Sequence, residues 1–442
     1  MKVGILKGKR VVNKTFLGSE PTWANACVGN NGFVDYLTYA EGFSKAANLI
    51  LDDLLKNLGK NIDLFVYPIC FNMRHSIELR LKGSIEKINK LAEIKNEKLP
   101  SFNLSSSHDI GNIWNYFKQN SELLDSRFHQ LNNLLDQTIK DIAEIDPTGQ
   151  TFRYPADKDD KKHLTEQRII SCKVLKDKFK ELEENLDNLK YLNELLIEEY
   201  KLGSFTKKFS RAQIFNFSLT LPSIDRWRSD LKKEEIYSQY SLTSNDLSKI
   251  LNLVKSNYEM CSFVNIKNSL IVLTDELLLD LCSIWANKFY PDFRALYTVD
   301  LSGDSYSLGE PTSFEEFFDS EISEQEILND LEPKLTIDLI ADLYSLFYFS
   351  RDNMKYSEYY LSGFNYYKDD LKSEESLMDA FDHIFSKSNF LENIVKSLFF
   401  LNQLELAEKI VERNNLDLYF KFLPDVRSRV IFKKSELLGY KS

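Results

Sequence analysis

Tyr67-Pro68-Ile69-Cys70-Phe71-Asn72-Met73-Arg74-His75-Ser76-Ile77-Glu78-Leu79-Arg80-Leu81-Lys82 reads as one apolar helix with charges threaded through it. His75, Glu78 and Lys82 fall at i, i+3 and i+7 and share one stripe of one face. Phe65, Val66, Ile69, Phe71, Ile77, Leu79 and Leu81 flank that stripe, so it is at least half buried. Burying charge there costs several kcal/mol unless the groups satisfy one another. The bland account is a helical bridge from Glu78 to His75 and Lys82, contributing a few tenths of a kcal/mol. The sharper one is a site: an imidazole beside a carboxylate suited to proton transfer, with Arg74 or Arg80 holding a phosphate.

Around this segment the chain looks mainly α. It has 442 residues, 43% of them hydrophobic, with 31 Phe and 22 Tyr but only 15 Gly and 10 Pro, which favours long helices over a turn-rich β fold. That length predicts two or three packed units. An N-terminal strand and loop segment (1–35) precedes a helical bundle (36–205) and a second, mainly helical domain (206–442) with a minor β element. Helices are expected at 36–58, at 62–91 with a bend near Pro68, after a cap at Ser107 or Asp109, at 121–145 and at 165–202. The intervening Asp146-Pro147-Thr148-Gly149 is a turn signal, and 146–163 reads as an ordered loop. In the second domain Ile214–Leu221 alternates like a half-buried strand, and 263–266 with 270–273 form a candidate sheet. Helices follow at 274–290, 335–350, 357–367, 377–385 and 389–414.

The net charge of −11 is divided unequally: residues 1–210 hold 31 Lys and Arg against 29 Asp and Glu, whereas 211–442 hold 25 against 38. Between Arg294 and Lys334 lie eleven carboxylates and no base, an acidic connection near 300–333. A polyanion is therefore expected on the N-terminal half. The opening residues lack the apolar core of a signal peptide and no stretch reads as a membrane span, so the expected location is cytoplasmic with no membrane partner. Five scattered cysteines signal neither a disulfide framework nor a zinc site. Phosphate-loop, dinucleotide-binding, HExxH and GxSxG motifs are absent, and no cofactor is expected. His75 and Glu78 alone are too few for a metal site.

Arg74-His75-Ser76-Ile77-Glu78-Leu79-Arg80-Leu81-Lys82, followed by His108-Asp109-Ile110-Gly111-Asn112-Ile113-Trp114, resembles the HEPN-like superfamily, helical bundles common in bacterial defence and toxin systems. The resemblance covers about residues 36–200. It implies a HEPN-like bundle, an antiviral defence or toxin role, a homodimer, and metal-independent RNA cleavage by an Arg and a His at the dimer cleft. In that family the two stand four to six residues apart. Here Arg74 adjoins His75 and Arg127 stands two before His129, so Arg74, His75, Glu78 and His108 would rebuild the catalytic group from two helices.

Phe152-Arg153-Tyr154-Pro155 sets one Arg between two aromatics, an arrangement that grips a phosphate or carboxylate. The plainer account pairs Arg153 with Asp157 or Asp146. Arg80, Lys82, Arg153, Lys161 and Lys162 are the expected nucleic-acid contacts. His108 has a plain role too, in a helix entrance, and Trp114 and Phe117 read as core. Two functions follow: an RNA- or nucleotide-binding defence protein with ribonuclease chemistry, or a non-catalytic scaffold subunit whose C-terminal half holds a protein partner.

Overall fold

A computed structural model describes residues 14–32, 35–57, 60–289, 332–374 and 376–441. The strand expected at 2–6 and 11–12, and the acidic connection up to residue 331, lie outside these. The chain divides into two compact units, Met1–Ile197 and Glu198–Ser442. Both are helical; among the described residues the only extended pairing is one isolated bridge, Ala156 with Lys162.

In the first unit, α1 (Tyr36–Lys56) starts where the Asp35 carboxylate accepts the Thr38 N–H at 2.7 Å. It packs along α2 (Ile62–Lys95), burying Ala40, Ala47, Leu51 and Leu54. Pro68 lies inside α2, early enough that the missing donor falls before the buried stretch begins at Ile69. From Arg74 to Ile85 almost every residue of α2 is buried, as expected of a helix covered on all sides. It is the central rod of the unit.

The Asp109 carboxylate caps α3 (Ile110–Leu124), accepting Asn112 N–H at 2.9 Å. The helix expected over 121–145 starts later, because α3 runs on to Leu124. Asp125 is extended there, and its carboxylate takes the Arg127 N–H at 2.9 Å and the Arg127 guanidinium, building a turn before α4 (Phe128–Ile145). Likewise α5 (Cys172–Lys201) starts seven residues later than Thr165. Leu164 at φ +55° and the β-branched pair Ile169-Ile170 keep the chain extended until the Ser171 backbone carbonyl accepts the Leu175 N–H at 2.9 Å. The boundary between the units falls within α5.

The minor β element of the second unit is overturned. Arg211–Ser218 is helical, opened by a capping box in which Ser210 and Gln213 satisfy each other's backbone donors. Cys261–Val264 is a 3-10 turn closed by Asn265 at φ +59°. At Val272 and Leu273 the N–H groups that a sheet would pair go instead to the Asp342 carboxylate, at 2.7 and 2.8 Å. Asp342 sits on helix Ile337–Arg351, buried nearly all round, against which helices Glu358–Asp370, Leu377–Phe385 and Phe390–Phe400 pack. The helix expected over 389–414 is two, Phe390–Phe400 and Leu404–Arg413, because Asn402 turns at φ +56°.

Asp342 also accepts the Tyr360 hydroxyl. Removing it strands two backbone donors and a phenol in the core, and an unsatisfied buried group costs ~1–3 kcal/mol. Asp342→Ala is expected to destabilise the second unit by about 3–5 kcal/mol, measured by urea denaturation; a loss below 1 kcal/mol would refute the pinning role.

Candidate functional site

On α2, positions 67, 71, 75, 78 and 82 fall within roughly 80° of arc and ~22 Å of axis. Tyr67, Phe71, His75, Glu78 and Lys82 thus form one continuous face. Its lower end is a charge cluster centred on Glu78, whose side chain is 3% exposed. One carboxylate oxygen takes Lys82 Nζ at 2.8 Å and stands 3.0 Å from His108 Nδ1. The other takes the Arg74 guanidinium, with His75 Nδ1 at 3.9 Å, beyond hydrogen-bond reach. Burial alone would push the Glu78 carboxyl up; the hydrogen bonds and positive charge around it prevail and hold it well below the usual carboxylate range.

Arg74 is 3% exposed. Besides Glu78, it donates to the carbonyls of His108, of Asp146 at 3.0 Å and of Pro147 at 2.7 Å. This planar fork fastens the entrance of α3 and the 146–149 turn to the central helix. Gly149 completes the seat: at φ +78°, a Cβ there would meet Arg74 Nη1 at 3.2 Å. The donors of Arg74, expected in the catalytic group, are aimed at the protein itself. Arg80 and Lys82, expected as nucleic-acid contacts, are both buried in ion pairs, Arg80 with Asp187 and Lys82 with Glu78.

The imidazoles behave differently. The His108 side chain is 60% exposed, so with Nδ1 turned to Glu78 the outward part of the ring carries Nε2. His75, 30% exposed, stands edge-on to Phe43 at 4.5 Å and stacks on Phe71 at 5.7 Å. Two imidazoles thus face opposite oxygens of one carboxylate, one open and one mostly covered.

At the Tyr67 end of this face lies a cavity of about 940 Å³. Arg153, Lys162 and Arg168 line it with Tyr67 and Tyr154, both about half exposed. Arg153 lies over Phe71 at 5.8 Å and Tyr154 at 5.1 Å, and donates to the Tyr154 hydroxyl at 3.1 Å. Neither expected carboxylate partner takes it: Asp157 accepts the Asp159 and Lys161 backbone N–H groups, and Asp146 accepts Thr151 N–H at 3.0 Å. Lys161 is exposed on the same loop. His163 also lines the cavity, its Nε2 buried without a hydrogen-bond partner. Tyr67 and His163 join this group beyond the residues expected from the sequence; for Tyr67 the i, i+4, i+8 run Tyr67-Phe71-His75 is the available signal. The lysines at the start of α5 are solvated and paired, Lys176 with Asp52, Lys178 with Glu181 and Lys180 with Glu184.

Trp114 and Phe117 are core, the indole donating to Asp136 at 2.9 Å. Among the described residues no group of three His, Cys, Asp or Glu side chains is placed to hold a metal ion, and no helix is long and apolar enough to cross a membrane. Comparison with known proteins finds no matching family model, no matching curated protein and no matching solved structure.

Glu78 contributes stability that is present above its unfolded pKa of about 4.3 and lost as pH falls toward its lowered folded value. Glu78→Gln leaves Arg74 and Lys82 buried without their anion, an expected cost of about 3–5 kcal/mol at pH 7. In urea titrations the difference between wild type and variant should shrink steadily below about pH 4.5; a constant difference from pH 7 to 3 would show that the carboxylate charge is not what matters.

Proposed function

We propose that the first unit binds RNA with its cavity at Arg153 holding part of the strand, or a nucleotide there, and that His108, oriented by Glu78 farther along α2, transfers protons on the bound strand. The observation that carries this reading is the shared face of α2. It runs from a cavity of aromatic rings, and of cations that make no ion pair among the described residues, to an imidazole whose Nδ1 is held 3.0 Å from a buried carboxylate. Aromatic faces stack bases and cations take phosphates, the combination that single-stranded nucleic acid requires.

The chemistry this supports is metal-free cleavage of RNA. His108 accepts the proton of a ribose 2′-hydroxyl, the oxygen attacks the adjacent phosphorus, and the bond to the 5′-oxygen breaks, leaving a cyclic phosphate. The departing oxygen takes its proton from the second imidazole, His75. Arg74 acts by holding the His108 segment in place. The motif resemblance to HEPN-like proteins adds a bacterial defence role and a homodimer to the proposal.

A second reading, a non-catalytic scaffold subunit with a protein partner on its C-terminal half, is favoured by the saturation of Arg74 and Lys82, which a purely structural cluster would also show. The two separate in one assay. Labelled RNA incubated with the protein in EDTA should be cut by wild type and spared by His108→Ala, an exposed substitution that keeps Arg74, Glu78 and Lys82. No cutting by either would leave the scaffold reading standing.

RNA binding gives an independent measurement. Arg153→Ala, Lys162→Ala and Arg168→Ala should each weaken binding and shrink the slope of log K against log salt by about 0.7, one phosphate contact to a single strand. Binding that ignores both salt and these substitutions would remove the nucleic-acid reading.

A further inference from the structure

The second unit is acidic, yet one of its cavities, of about 490 Å³, is positively charged. Arg429, Lys433, Lys434 and Lys441 line it with only two carboxylates, Glu259 and Glu436, an excess of two positive charges. Glu259 is already engaged by other groups. It holds the Lys434 ammonium on one oxygen, and on the other the Arg211 guanidinium and the Ser357 N–H at 3.0 Å. That network fixes one wall of the cavity.

Arg429 is the telling residue. Its backbone sits at φ +59°, a conformation uncommon for a long side chain and characteristic of functional sites. Its guanidinium donates to Phe399 O at 3.0 Å, Asn402 Oδ1 at 2.9 Å and Phe400 O at 3.4 Å, and none of these is a carboxylate. Burial lowers its pKa, opposed by the charge of Glu259, with which it makes no direct contact among its hydrogen bonds. Lys433 and Lys441 are exposed at the rim. Apolar walls come from Phe215, Phe263 and Phe432, the first two edge to face at 5.2 Å.

We propose that this cavity binds a small phosphate monoester bearing a flat ring, of the size and charge of a nucleoside monophosphate, with the phosphate on Arg429, Lys433 and Lys441 and the ring against the phenylalanines. A phosphate monoester carries about −1.5 to −2 at neutral pH, which matches the excess, whereas a carboxylate brings half of it. The volume lies in the range of small-ligand sites. This inference stands independently of the first unit's RNA reading.

The test is calorimetric titration of the full chain with AMP and with phenyl phosphate, using benzoate as the carboxylate control. Wild type should bind both phosphates saturably at one site in the second unit and benzoate at least tenfold more weakly. The doubly substituted Lys433→Ala/Lys441→Ala chain, altered only at exposed positions, should lose roughly tenfold or more in affinity for both. The same loss should appear in an Arg153→Ala background, where the first unit's cavity is impaired, so failure of the RNA reading leaves this result intact. Absence of saturable binding by either phosphate, equal affinity in the double variant, or dependence on Arg153 alone would overturn the proposal.

Discussion

A helix buried on every side cannot carry bare charge, and α2 carries Arg74, Glu78, Arg80 and Lys82 in its buried stretch. The Glu78 carboxylate is what makes this possible. It lies between two permanent cations one turn before and one turn after it, and the pair spacing of the helix puts both within reach. Through Arg74 the same carboxylate governs the loops, because the guanidinium aligned by Glu78 collects three carbonyls from the 108 and 146–147 segments. The open imidazole of His108 and the cation-bearing loop at 153 stand where they do because a buried anion at position 78 holds the fork that holds them.

The second unit solves a similar problem with different parts. Arg211 is fully buried between Glu259 and Glu358, and Tyr440 and Lys434 complete the group. Such networks add little net stability compared with apolar packing, but breaking one partner is costly, so they discriminate among alternative packings. In each unit a charged network ties distant segments together beside a cavity, and that is where recognition chemistry is most economically placed.

Much of the architecture could be read from residue periodicity and caps. Asp109 at the entrance of α3 and the helix Leu377–Phe385 follow directly from local pattern. Ile214–Leu221 misled because its alternation satisfies period two while its buried Ile214, Phe217 and Leu221 also satisfy helical spacing. The Ser210–Gln213 capping box was the deciding local signal. At the site, the stripe His75/Glu78/Lys82 and the aromatic flanks of Arg153 were legible because helix geometry and neighbouring residues alone define them. Nothing local announces that Arg74 will point inward: its partners at 108, 146 and 147 come from chain turns that only the packed unit brings close. The pairing of Arg80 with Asp187, across more than a hundred residues, was hidden for the same reason.

Asp342 has a consequence for the behaviour of the chain in a crowded solution. Leu270-Ile271-Val272-Leu273 is a run of the composition that adds readily to the edge of another sheet. With the Val272 and Leu273 N–H groups held by a carboxylate and the Ile271 N–H facing the Tyr360 hydroxyl at 3.3 Å, the run has no row of free donors to offer. A single acidic side chain thereby acts as a guard against self-association for the most β-prone segment of an otherwise helical unit.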